Sequence, residues 1–321
     1  MFLSRITPLA LAFIITGSAF AADGKPAKHK ILFFSKSSGF EHSVISYKTG
    51  QPSYAEKILT ELGEKNGWEF TFSKDGSLFS PAYLKQFDTL FFYTTGDLMS
   101  EGTDKNPPMS AAGKQALLDY VNGGGGFVGT HSASDTFHTA NEDKKGPDRY
   151  LNHGPLADDY VKLIGGEFIK HGKQQVAKMR CVDPKFPGLE KYADGFAFQE
   201  EWYSLKDFPS DIHVLLVQET EGMTDNEYKR PPYPATWARA AGKGRVFYTS
   251  MGHREDVWTN PIFQDVLTGG VKWALGDVKA DVPPNLLTAA PGALTNPPYV
   301  EAPPAKPTAK APAPAAPAPA N

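Results

Sequence analysis

An α/β domain built on a mostly parallel sheet flanked by helices is what this sequence predicts, and three observations carry the prediction. Short continuous apolar runs at residues 31–34, 89–95 (TLFFYTT) and 127–130 have the composition of strands covered on both faces. Between them lie segments whose apolar residues recur at helical spacing. Strand and helix therefore alternate, the pattern that right-handed crossovers impose on a parallel sheet.

The elements follow in order. After the first run, Ala55, Ile58, Leu59 and Leu62 share one helical face, and Gly67 supplies a stop signal. Trp68, Phe70 and Phe72 then alternate as in a strand. Residues 110–122 carry Leu117, Leu118 and Val121 on one face, and the glycines at 123–126 end that helix before the next strand begins at Phe127. The stretch 150–219 is less regular, with a helix expected around 156–163 and strands around 175–182 and 213–218. Residues 234–239 and 245–250 read as strands about the turn Ala241-Gly242-Lys243-Gly244, and a last helix presents Ile262, Phe263, Val266, Leu267 and Val271.

The termini differ from this core. Arg5, an apolar run from Leu9 to Ile15 and the small-residue site Ala19-Phe20-Ala21 have the form of a secretory signal peptide over 1–21. That apolar core is too short for a membrane span. The mature chain is then expected to begin near Ala22 in a periplasmic or extracellular space. Cys181, the only cysteine, sits far from the cleavage site, which argues against a lipoprotein and excludes an intramolecular disulfide. From residue 281 to 321 the text is rich in proline and alanine, and we read it as a disordered tail or spacer able to tether the domain to an envelope partner. Residues 22–280 are expected to form a single domain.

The formal charge is −3, and loss of the leader with Arg5 makes the chain more acidic. Without basic clusters, nucleic acid is a poor partner and small molecules are better ones.

The stretch GGGGFVGTHSASD at 123–135 needs most care. Gly124, Gly126 and Gly129 satisfy G-x-G-x-x-G, but a dinucleotide fingerprint follows a strand and opens a helix, whereas these glycines follow a helix and open a strand. A serine-nucleophile elbow, G-x-S-x-G, is also missing, because His131 holds the middle place and Ser132 comes one step late. What remains is position: His131, Ser132 and Asp135 stand just past a strand's carboxyl end, where open α/β sheets bind ligands. His42 after the first strand, and His253 with Arg254 after the last, occupy equivalent places. Glu200-Glu201-Trp202-Tyr203 sets two carboxylates beside two aromatics, a combination suited to sugars, and His171 lies at an element boundary. Imidazoles with a carboxylate also suit a divalent metal, zinc or manganese, although no compact H-E-x-x-H or paired-cysteine spacing supports one.

The segments SKSSGFEHS, GGGGFVGTHSASDTF, EEWYSL and GRVFYTSMGH together resemble the ThuA-like, or trehalose-utilisation, family, across most of the chain from Ile31 to about Gly276. The resemblance implies a flavodoxin-like fold related to class I glutamine amidotransferases, and a role in handling disaccharides and keto-sugar derivatives. In amidotransferases the corresponding elbow carries a catalytic cysteine; here His131 takes its place, so thiolate-dependent glutamine hydrolysis is excluded. The resemblance marks His42, His131, Asp135, His171, Glu201, Trp202, Tyr203 and His253 as site residues. Glu200 departs from the family's usual aspartate.

Two functions are weighed. One is an enzyme acting on a small-molecule carbohydrate: His131 is general base or metal ligand, Asp135 orients it, Glu201 and His253 handle a second proton, and Trp202 or Tyr203 holds the sugar. The other is a non-catalytic carbohydrate-binding or accessory module using the same cluster only for recognition.

Overall fold

A computed structural model of the protein describes residues 28–47, 50–103, 105–139 and 146–301; the leader expected over 1–21 and residues 302–321 of the tail lie outside them. The first strand, β1 (His29–Phe34), is fully buried from Ile31 onward, as an apolar run covered on both faces requires. Helix α1 (Tyr54–Asn66) starts at Ser53, whose hydroxyl accepts the Glu56 N–H while the Glu56 carboxylate accepts the Ser53 N–H. It ends at Gly67 in the left-handed conformation, φ +75°. Then come β2 (Trp68–Ser73), α2 (Pro81–Leu84), β3 (Thr89–Phe92), α3 (Ala111–Asn122) and β4 (Gly126–Thr130). Gly124, at φ +128°, makes the turn from α3 into β4. Gly126 is needed for space, because a Cβ there would stand 2.7 Å from the Ala274 carbonyl oxygen.

The less regular middle contains α4 (Asp159–Ile164), β5 (Glu167–His171), β6 (Gln175–Cys181), β7 (Phe196–Glu200), β8 (Tyr203–Lys206) and β9 (His213–Glu219). Three of these strands, β5, β7 and β8, give little sequence signal because each is short and carries charged residues. The chain closes with β10 (Tyr233–Ala241), β11 (Gly244–Thr249), α5 (Glu255–Trp258), α6 (Pro261–Leu275) and α7 (Leu286–Ala289).

Nine strands form one sheet in the order β2-β1-β3-β4-β11-β10-β9-β6-β7, and β5 pairs with β8 apart from it. From β2 to β11 every pairing is parallel, and the order is that of flavodoxin with β11 as the fifth strand. Beyond β11 the sheet continues as an antiparallel wing, β10-β9-β6-β7. One face of the parallel strands (Ile31, Phe33, Phe91, Val128, Phe247) packs on Leu59 and Leu62 of α1 and Phe263, Val266 and Val271 of α6. The other (Leu32, Phe34, Phe92, Phe127, Val246) packs on Leu117 and Val121 of α3 and Tyr160 of α4. Among the described residues no helix is long and apolar enough to cross a membrane.

The expectation of a disordered tail from 281 is corrected for residues 281–301. Prolines 283 and 284 before it and 297 and 298 after it bracket the apolar segment NLLTAAPGAL, and Leu286, Ala290 and Ala293 are buried in the same core as Val214 and Tyr233. Polar groups fix it further: Asn285 accepts the Val214 N–H at 2.6 Å, and the buried Arg230 donates to the Ala293 carbonyl at 2.7 Å. Leu286→Ala should therefore cost about 2–4 kcal/mol in a urea unfolding titration. A loss under about 0.5 kcal/mol, the scale of surface substitutions, would mean the segment merely lies on the surface.

Candidate functional site

The register of the parallel strands places the site. Thr130 at the end of β4 is aligned with Thr249 at the end of β11, so His131 and Ser250 emerge side by side. His131 has φ +44°, a conformation a non-glycine residue adopts only when its surroundings enforce it. Here Tyr248 donates its hydroxyl to the His131 carbonyl at 2.7 Å and Ser134 donates to the same oxygen at 3.2 Å. The imidazole is fixed as well: Nδ1 lies 3.0 Å from the Ser250 carbonyl. A carbonyl only accepts, so Nδ1 carries the proton and Nε2 presents a lone pair.

That lone pair faces three other loops. His131 Nε2 is 3.2 Å from His253 Nδ1 and 3.5 Å from Glu201 Oε2, and His253 Nδ1 is 3.0 Å from the same carboxylate oxygen. The His42 ring completes the group, with centroids 5.0 Å from His131 and 5.2 Å from His253. One ligating atom from each of His42, His131, Glu201 and His253 lies within 4.8 Å of every other. His171 approaches from the solvent side, its Nδ1 3.4 Å from Glu201 Oε1, and Tyr203 lies against the His131 ring at 4.0 Å between centroids.

Burial sets the charges. It pulls His131 and His42 below the ordinary imidazole value, His42 further through the neighbouring histidines, so both are neutral. Burial pushes Glu201 upward, but the adjacent imidazoles of His131 and His253 prevail and hold the carboxyl well below its usual range. An anion thus stands beside the neutral His131 and His42 rings, with His253 Nδ1 the nitrogen placed to donate to it at 3.0 Å. His42 Nδ1 is buried with no hydrogen-bond partner, an orphan that only an added group or ion would satisfy.

The neighbouring acid behaves differently, because consecutive residues leaving a strand point to opposite sides. Glu200 Oε1 accepts the Glu201 N–H at 2.7 Å, and Oε2 accepts the N–H groups of Gly252 and His253 at 2.9 and 3.1 Å. Burial pushes its carboxyl up to about 7 despite those bonds.

Several expected roles move. Asp135 does not orient His131, a task the Ser250 carbonyl performs; its carboxylate pairs instead with His138 Nε2 at 2.6 Å and Arg149 at 3.3 Å. Trp202 is fully buried and donates its indole N–H to the Gln175 carbonyl at 2.9 Å, so it cannot stack on a ligand. Ser132 is also fully buried. Arg254 turns away to Asp256 and Gln174. The exposed aromatic beside the cluster is Phe40, 68% accessible and edge-on to His42 at 5.0 Å. Its signal was present in SKSSGFEHS, two residues before His42, but nothing in spacing separated it from a core phenylalanine.

A second polar network lies alongside. His138 Nδ1 is 2.7 Å from Glu167 Oε1, while its Nε2 binds Asp135. Lys206 lies 3.9 Å from Glu167 and 3.4 Å from His153, so an ammonium already stands among His153, Glu167 and Asp207.

The parallel order of strands and the strand-end elbow bearing His131 define a flavodoxin-like α/β protein with an imidazole at that elbow. Within that class the chain belongs to the ThuA family, described as trehalose utilisation, which matches residues 30–274. Membership ties it to carbohydrate utilisation. A ThuA-like protein from Bacteroides uniformis shares the fold at a TM-score of 0.57 and 20% identity, over 80% of this chain and 95% of that one. One from Parabacteroides merdae does so at 0.52 and 17%, over 85% and 98%. No curated protein matches the chain.

The Glu167–His138 pair gives a pH signature. Burial pushes Glu167 upward, but His138, Lys206 and Arg149 outweigh it and bring the carboxyl down to about 2. His138 is raised: its burial is outweighed by Asp135 and Glu167. The Glu167 contribution to stability is present above the unfolded value of 4.5 and is lost as pH falls toward about 2. The His138 contribution is full below 6.5 and is lost as pH rises through its higher folded value. Melting temperature should therefore fall on acidification below about pH 4.5, and the fall should be shallower in Glu167→Gln. Superimposable wild-type and variant profiles would exclude the pair as its source.

Proposed function

We propose that the protein is an exported enzyme of carbohydrate utilisation that processes a sugar or keto-sugar derivative at His42, His131, Glu201 and His253. The observation that carries this reading is the convergence of four side chains from four separate loops, with ligating atoms within 4.8 Å of one another. Surface recognition of a sugar needs no such burial; proton transfer does profit from it. In this reading His131 Nε2 accepts a proton from the substrate, and Glu201 stabilises the imidazolium that forms. His171, half exposed beside Glu201, passes the proton to solvent. Phe40 takes the stacking role first expected of Trp202 or Tyr203, both of which are buried.

The same four residues fit a divalent metal. Three imidazoles and a carboxylate are a donor set for zinc or manganese, the Ser250 carbonyl fixes His131 in the tautomer a ligand needs, and His42 Nδ1 is otherwise unsatisfied. Bound there, such an ion would supply Lewis-acid polarisation of a substrate oxygen. Export is the part of the proposal that rests on the leader sequence alone.

His131→Asn tests the assignment, because asparagine tolerates positive φ and its amide can still donate to Ser250. Turnover of disaccharides or their keto derivatives should fall by about 1000-fold with little change in melting temperature. Wild-type turnover in that variant would remove His131 from the chemistry. Elemental analysis should find one zinc or manganese per wild-type chain and less in the variant; a metal-free, active wild type would leave acid–base chemistry and reject the ion.

A further inference from the structure

We infer that Glu200 is a positioning residue: its carboxylate assembles the site by holding the loops of Glu201 and His253 together through three backbone N–H groups, without touching substrate. The inference rests on the reading of the His/Glu cluster as the reacting centre. Glu200 ends β7, the outermost strand of the wing, whereas Gly252 and His253 follow β11 in the parallel half. Two elements separated by three intervening strands are thus bridged by one side chain.

The bridge is used to capacity. Oε1 takes the Glu201 N–H at 2.7 Å, and Oε2 takes those of Gly252 and His253 at 2.9 and 3.1 Å. Glu200 is completely buried, so no water competes for these bonds. Turning toward the histidines would abandon backbone donors in the interior, which costs about 1–3 kcal/mol each. Glu200 is therefore held out of the cluster that its neighbour joins.

The far side of Gly252 is fixed too. Its carbonyl accepts from the Tyr93 hydroxyl at 3.1 Å and from the Trp258 indole at 2.8 Å. With φ +123°, Gly252 adopts a conformation closed to residues with side chains. Peptide groups on both sides of this residue are clamped, and Glu200 supplies the only contact of the three that comes from the wing. Its loss frees His253 from Glu201 without removing either.

The test uses the full chain with Glu200→Gln and Glu200→Asp, reading zinc affinity by calorimetry. It also reads, in metal-free protein, the through-space NMR contact between the His131 and His253 rings. A glutamine offers one acceptor where three N–H groups wait, and should weaken zinc 10- to 100-fold and abolish the ring contact in a protein that still melts cooperatively. The aspartate keeps the charge on a shorter arm and should fall between. Zinc affinity and ring contact at wild-type values in Glu200→Gln would overturn the inference, as would failure of both variants to fold, which makes Glu200 a residue of the fold. If wild type itself binds no zinc, the metal assignment fails, and the ring contact alone decides for or against Glu200.

Discussion

The in-register parallel pairing of β4 with β11 is the constraint on which the site depends. It brings His131 and the Ser250 carbonyl level at the carboxyl edge of the sheet, and a single N–H to carbonyl bond then selects the tautomer of the imidazole. A slip of one residue would reverse which face each side chain takes and remove that partner. The buried aromatic layers on both faces of the parallel strands resist such a slip, so core packing and site chemistry are enforced by one set of contacts.

The electrostatic arrangement follows from that geometry. Glu201 is a buried anion whose compensation comes from the His253 Nδ1 directed at it, and buried charge is tolerated only on such terms. The adjacent His138, Glu167 and Asp135 network solves a similar problem with opposite charges in contact. Two polar clusters side by side inside an apolar frame are thus kept distinct by their partners.

Much of this was legible in the sequence for definite reasons. Apolar runs and helical spacing revealed the parallel half, because strands buried on both faces must be continuously apolar. The strand-end histidines His42, His131 and His253 were found by position, since the carboxyl edge is where loops meet. What escaped were properties set by distant partners. Asp135 and Trp202 stand in the right segments, yet one is claimed by His138 and the other by the Gln175 carbonyl. Spacing treats Glu200 and Glu201 alike, and the exit from β7 is what turns Glu200 away from the cluster that Glu201 joins. Of the antiparallel wing, β6, β9 and β10 were legible, and β7 was not, being five residues long and ending in Gln199 and Glu200.

The segment from Asn285 to Leu294 has a further consequence, for the order in which the protein can be completed. Arg230 and the core around Tyr233 stay exposed until Leu286 and Ala293 arrive, and these are made after the whole of the family-matched region. The core around Tyr233 is therefore completed only once this late segment has been made. Part of the apolar surface thus stays uncovered until residues 286–293 are in place, which suits the passage across a membrane that the proposed leader implies.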